Sequence, residues 1–184
     1  MTESPPSRVW ICGGGGSGKT TLANRMGEAL GLPVYHRDAI TWDENDNLRS
    51  EEEQIAMLRD ITRQERWIFE GARFTSAGAD GRLARCDLIV HLDINRFVRL
   101  YRALRRARRQ KNRADIPPAE RQPIHWEHIR SWLIDYPKKR GQREAVLDQA
   151  RARGIRVVTL KRTHDVKRFC DDIVGAACQP PVEK

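Results

Sequence analysis

Short, continuously apolar runs alternate along this chain with stretches whose apolar positions recur every three to four residues. "RVWIC" (8–12) reads as a buried strand, and from Thr20 to Leu30 the residues Leu22, Met26, Ala29 and Leu30 share one helical face. "LPVYH" (32–36) reads as a second strand. The segment from Ser50 to Arg66 opens with Ser50 and, three residues on, Glu53, the pattern of a capping box, and places Ile55, Leu58 and Ile61 at helical spacing. "RWIF" (66–69) and "CDLIVHL" (86–92) read as the third and fourth strands.

The second half keeps the alternation. A helix from Asn95 to about Gln110 is expected to turn Phe97, Tyr101 and Leu104 inward and Arg99, Arg102, Arg105, Arg106 and Arg109 outward. "KNRADIPPAERQPI" (111–124) is polar and proline-broken, a loop of the length usually kept for a function such as a lid, placed at roughly 108–126. "HWEHIRSWLIDY" (125–136) carries Trp126, Ile129, Leu133 and Tyr136 on one helical stripe. A further helix runs from Gln142 to Arg153 and ends at Gly154. "IRVVTL" (155–160) is the fifth strand, "DVKRFCDDIV" (165–174) a closing helix, and 179–184 an unstructured tail. Strands this apolar have no wet face, so the pattern predicts an α/β fold: a five-stranded parallel sheet with helices on both faces, in one domain spanning 1–184.

Between the first strand and the first helix stands "GGGGSGKTT". It satisfies G-x-x-x-x-G-K-[ST] with Gly13, Gly18, Lys19 and Thr20, in the strand–loop–helix context the motif requires. Such a loop turns its backbone N–H groups onto a phosphate chain, and the following helix adds its positive N-terminal end. The reading assigns ATP to Gly13, Gly14, Gly15, Gly16, Ser17, Gly18, Lys19, Thr20 and Thr21. Lys19 reaches the β and γ phosphates and Thr20 ligates Mg²⁺. The bland alternative is a flexible glycine-rich turn.

Ligands of open parallel sheets bind beyond the carboxyl ends of the strands. There the second strand delivers His36, Asp38 and Trp42, the third Glu70 and Arg73, the fourth Asp93, and the fifth Lys161 and Thr163. Carboxylates and cations together suit Mg²⁺-dependent phosphoryl transfer, which rests on positioning and charge stabilisation. Asp38 is assigned to the acceptor or to Mg²⁺, or else begins a turn. Glu70 follows an apolar strand as a Walker-B-type acid would. Asp93 reads as a helix cap and His91, inside a strand, as structural.

Composition adds three constraints. Of the 184 residues 39% are hydrophobic, enough for a core, and the net charge of +9 calls for an anionic partner. Four cysteines without a C-x-x-C pair read as reduced thiols, and with no apolar stretch of membrane-spanning length a cytoplasmic setting is expected. The charge is concentrated between Arg96 and Arg113 and from Lys138 to Arg168. The arginine-rich helix is either the arm of a closing lid that meets the γ-phosphate, or a grip on a nucleic-acid backbone.

"GLPVYHRDAITW", "RWIFEGARF", "CDLIVHLDINRFVRLYRALRR", "WLIDYPKKR" and "VVTLKRTHDVKRF" together resemble the adenylate-kinase-related P-loop proteins known as FlaR-type DNA topology modulation proteins, over about Val9 to Phe169. The resemblance implies a nucleoside-kinase-like fold with a lid. By similarity to adenylate kinases it places lid-helix arginines on phosphates, with Arg102 and Arg106 the best matches and Arg130 a weaker one, and the adenine near Lys161–Thr163. Two departures matter. "EGARF" stands where adenylate kinases have D-G-F-P-R, and no segment equivalent to their AMP grip is present. An acceptor other than AMP is therefore favoured.

The expected function is a small ATP-dependent kinase. Lys19 holds phosphates, Thr20 and Glu70 hold Mg²⁺, Asp38 orients the acceptor, and Trp42, Glu70 and Arg73 line its site. Arg102, Arg106 and Arg130 close over the transferring group. The alternatives are an ATP-binding regulator that associates with DNA, and a protein that retains only nucleotide binding.

Overall fold

The computed structural model describes residues 5–45, 47–111 and 129–177. Its five strands are β1 (Arg8–Gly13), β2 (Val34–His36), β3 (Trp67–Glu70), β4 (Leu88–Leu92) and β5 (Arg156–Leu160). They form one sheet in the order β2-β3-β1-β4-β5, every neighbouring pair parallel. The fifth run and the alternation thus give the α/β sheet the pattern predicts.

Period-two alternation sorts the strand residues between two helical layers. Trp10, Cys12, Trp67, Phe69 and Ile89 face one layer, where they meet Leu58 and Ile61 of α3 (Glu51–Arg63), Leu83 of α4 (Arg82–Arg85) and Leu147 and Ala150 of α7 (Arg140–Ala152). Val9, Ile11, Ile68, Leu88, Val90 and Leu92 face the other. There Leu22, Ala23 and Met26 of α1 (Lys19–Leu30) and Cys170 of α8 (Thr163–Ala177) complete the core. Burying each large apolar side chain contributes roughly 1.5–3 kcal/mol. The predicted capping box is present at α3: Ser50 Oγ accepts from Glu53 N at 3.2 Å, and Ser50 N donates to Glu53 Oε2 at 2.8 Å.

Several boundaries differ from the sequence expectation. β2 begins at Val34 rather than Leu32 and α3 stops at Arg63. Two short helices, α2 (Arg37–Thr41) and α4, were not expected, because five and four residues are too few to show periodicity. Of the helix expected over 125–136, residues 125–128 lie outside the described residues; 129–130 are α-helical and Ser131–Asp135 is a π-helical turn that runs into α6 (Tyr136–Lys138). Most of the expected lid and all of the expected tail also lie outside the described residues.

The largest correction concerns α5 (Arg96–Lys111). Phe97, Tyr101 and Leu104, expected inside, are exposed, at 61%, 64% and 42%, whereas Arg99 and Ala103 are buried at 2%. The reason lies in what the helix packs on. Its inner face meets the backbone of the glycine loop, whose carbonyls need donors: Arg99 reaches Gly15 O at 3.4 Å and Arg102 reaches Ser17 O at 3.4 Å. Leucine or phenylalanine there would bury those carbonyls without partners.

A second charged group sits in the core. Asp80 and Arg82 are both fully buried. Arg82 Nη2 lies 2.7 Å from Asp80 Oδ2, and its guanidinium carbon lies 4.3 Å from the ring centre of Trp10 and 4.9 Å from that of Phe69. Arg82 also donates to the carbonyl of Arg73, and Ser76 Oγ donates to Asp80. This pair ties the segment after β3 to the sheet and holds Arg73 in place. Removing one partner costs about 3–5 kcal/mol, because the other is left as an uncompensated buried charge. Among the described residues no helix is long and apolar enough to cross a membrane.

Candidate functional site

The glycine loop leaves the end of β1 and enters α1 at Gly18, which offers no side-chain cap, and the first turn of α1 holds no acidic residue. The helix therefore presents its unpaired N–H donors and positive end to whatever lies in the loop, the arrangement that binds phosphate. Gly16 has φ +74°, and a Cβ there would stand 2.5 Å from Arg99 O; at Gly14 a Cβ would stand 1.7 Å from Arg99 Nη1. The loop is glycine both because of its own turn and because α5 presses against it.

Glu70, at the end of β3, is the hub beside the loop and is 8% exposed. Lys19 Nζ lies 3.2 Å from its Oε1, while Thr20 Oγ1 and His36 Nδ1 each lie 3.2 Å from its Oε2. Lys19 also reaches Gly14 O at 3.5 Å. The structure thus brings together Lys19, Thr20 and Glu70, and adds His36. A threonine hydroxyl and a carboxylate on neighbouring strand and helix ends are hard oxygen donors of the kind Mg²⁺ accepts, with its other positions left to phosphates and water. Among the described residues no group of three His, Cys, Asp or Glu side chains is placed to hold a metal.

On one flank of the loop, Arg102 bridges Ser17 O to Thr163 Oγ1, the latter at 2.5 Å. This brings Arg102 and Thr163 to the loop together; Lys161, just before, is exposed. Arg106 and Arg130 are exposed as well.

The other flank holds residues that the sequence reading did not assign to the site. The Arg99 guanidinium lies 4.7 Å from the ring centre of Tyr136, and that of Arg143 lies 3.9 Å from the same ring. Arg143 also donates to Tyr136 O and is 4% exposed. Burial pushes the Arg99 guanidinium below its usual range and the Tyr136 phenol above its own. This Arg–Tyr–Arg stack runs from Gly14 and Gly15 to a cavity of about 640 Å³, whose walls include Tyr136, Arg143, Arg37, Arg73 and Thr41. Arg73 is held there by Glu51 and Gln54. Asp38 is exposed in the first turn of α2, beside cavity-lining Arg37 and outside the cavity wall. Trp42 is also exposed; its neighbours Thr41 and Leu48 line the cavity, and it does not. Sequence periodicity points to Tyr136 only as a helix residue, and to Arg99 only as an outward charge.

His91 is 1% exposed, neither ring nitrogen has a hydrogen-bond partner, and burial lowers its pKa; the ring packs edge-on to Phe74 at 6.4 Å.

No protein-family profile matches the chain, and no curated protein does. Solved structures do resemble it. Shikimate kinase from Bacteroides thetaiotaomicron superposes with a TM-score of 0.56 at 17% identity, covering 91% of this chain and 96% of that one. A gluconokinase from Sinorhizobium meliloti 1021 gives 0.54 at 13% identity, covering 94% and 91%. Shikimate kinase from Acinetobacter baumannii, in complex with shikimate, gives 0.57 at 16% identity, covering 98% and 97%. At such identities the likeness shows the fold alone, a five-stranded parallel α/β sheet.

Proposed function

We propose that this protein is an ATP-dependent kinase that transfers the γ-phosphate to a small molecule held in the cavity beside the glycine loop. The observation that carries the reading is the Lys19–Thr20–Glu70 cluster at an uncapped helix N-terminus, joined by Arg99 and Tyr136 to a cavity of about 640 Å³. Phosphoryl transfer asks a protein to position two substrates and neutralise charge, and a cationic cluster beside a cavity supports that reading. That shikimate kinases and a gluconokinase share the fold supports the reading.

Lys19 and the loop amides would hold the phosphates, and Thr20 and Glu70 would hold Mg²⁺. Bound Mg²⁺ supplies charge neutralisation on the β and γ phosphates. Arg73 anchors the acceptor from the cavity wall, and Asp38, exposed outside that wall, takes the alternative role of opening the turn into α2. Arg102 and Thr163 frame the nucleotide, Lys161 lies near its base, and Arg106 and Arg130 contact phosphates, as the resemblance implies.

The test is ADP release from Mg-ATP by purified protein against nucleosides, nucleoside monophosphates, hydroxylated metabolites and duplex DNA, with Lys19→Ala as control. Stimulation by a small acceptor that Lys19→Ala abolishes supports the kinase. Stimulation by DNA alone favours the DNA-associated regulator. Tight ATP binding with no stimulation leaves a nucleotide-binding protein without transfer.

A further inference from the structure

The walls of the cavity beside the glycine loop carry Arg37, Arg49, Arg73, Lys139 and Arg143 against a single carboxylate, Glu51. That carboxylate is already engaged with Arg73. Arg49 donates to the carbonyls of Ala39, Ile40 and Trp42 and Arg143 to that of Tyr136, which fix the side chains without cancelling their charge. Partial desolvation lowers the Arg37 pKa, although the residue as a whole is exposed. Two lining groups more than nine-tenths buried also have a polar atom without a hydrogen-bond partner: Thr41 Oγ1 and Arg143 Nε. Leu48, Ala72 and Phe74 give the same cavity an apolar wall that suits a carbon skeleton.

We infer that the cavity takes a small hydroxylated molecule carrying its own negative charge, a carboxylate or a phosphate monoester, and excludes the neutral parent compound. A neutral polyol leaves five cations facing one carboxylate without a further counter-charge, whereas an anion pairs with them. The inference rests on the kinase reading for the role of the site, and on the cavity wall alone for its charge.

The experiment is calorimetric titration of the protein, its glycine loop saturated with a non-hydrolysable Mg-ATP analogue, with two matched sets: glucose, gluconate and glucose 6-phosphate; adenosine and adenosine monophosphate. The expected result is binding of at least one anionic member at least tenfold tighter than its neutral parent. That binding is weakened about tenfold by Lys139→Met, and again by Arg37→Met, each replacement removing a charged partner. Lys139 is exposed, so its replacement tests charge without disturbing the core. Gluconate against glucose 6-phosphate tells a carboxylate from a phosphate. The inference is overturned if a neutral parent binds as tightly as its anions, if no anion binds at millimolar concentration, or if both variants bind like the wild type. Measuring ADP release on the same compounds separates the two claims. Anion binding without turnover upholds the cavity's charge and defeats the kinase, whereas turnover of glucose or adenosine alone does the reverse.

Discussion

The guanidinium of Arg99 stands 4.7 Å from the ring centre of Tyr136, and its Nη1 occupies the space a side chain at Gly14 would need. Gly14→Ala must therefore push Arg99 off the glycine loop. We expect Gly14→Ala to destabilise the protein by about 1–3 kcal/mol, as other overpacking changes do, and to do so far less in an Arg99→Ala background. Denaturant midpoints of the two single variants and the double variant measure the coupling. Additive losses would mean that the two residues do not meet.

Lys19 has Glu70 as its counter-ion at 3.2 Å, and the same carboxylate holds the Thr20 hydroxyl. Glu70→Gln removes a charge that competes with phosphate for Lys19 and a group that positions Mg²⁺. Affinity for ATP without Mg²⁺ is expected to hold or rise. The Mg²⁺ concentration needed for half-maximal ADP release rises by about 10–100-fold, the usual effect of losing a supporting partner of a metal. Equal losses with and without Mg²⁺ would remove Glu70 from any metal role.

Burial depresses the pKa of His91, so the folded chain refuses a proton that the unfolded chain accepts below about pH 6.5. Stability contributed by this group is complete at neutral pH and declines as pH falls through the unfolded value towards the folded one. Unfolding midpoints at pH 7.5 and 5.5 are expected to differ more in the wild type than in His91→Leu. Identical differences would assign the pH dependence elsewhere.

Cys12 and Cys86 are buried, and burial pushes both thiols up to about 12. Neither forms the reactive thiolate at neutral pH. A disulfide reagent should leave both unmodified in native protein and react with both after denaturation, as peptide mass spectrometry will show. Rapid native labelling of Cys12 would mean that β1 opens to solvent.

The sheet and the glycine loop were legible because both depend on local signals: continuous apolar runs, and a fixed spacing of glycines ahead of Lys19 and Thr20. The face of α5 was not. Periodicity locates Phe97, Tyr101 and Leu104 on one stripe, but only the partner decides which stripe is buried, and that partner is a polar backbone loop. The burial of Arg82 and Asp80 was not legible either, since each is buried only because the other is. The Glu70 cluster was half legible: Thr20 and Glu70 stand apart in the chain, and only the β1–β3 pairing, with Ile11 opposite Glu70, brings them together. Tyr136 stands in the quoted block "WLIDYPKKR" with no role assigned to it, Arg143 stands in none, and their place beside the cavity follows from α6 and α7.

The strand order also dictates when the protein becomes competent. β1 is the first strand made and the middle one of the sheet, yet its neighbours start only at Trp67 and Leu88. A nascent chain emerging from the ribosome thus carries "RVWIC" with both edges open until much of the polypeptide has followed it, the situation that slows parallel sheets and exposes them to misassembly. The glycine loop has no platform before then. On the proposed reading, nucleotide capture would be a late event in the life of each molecule, and ATP, by selecting chains whose central strand has found both neighbours, would reward the finished sheet and not its parts.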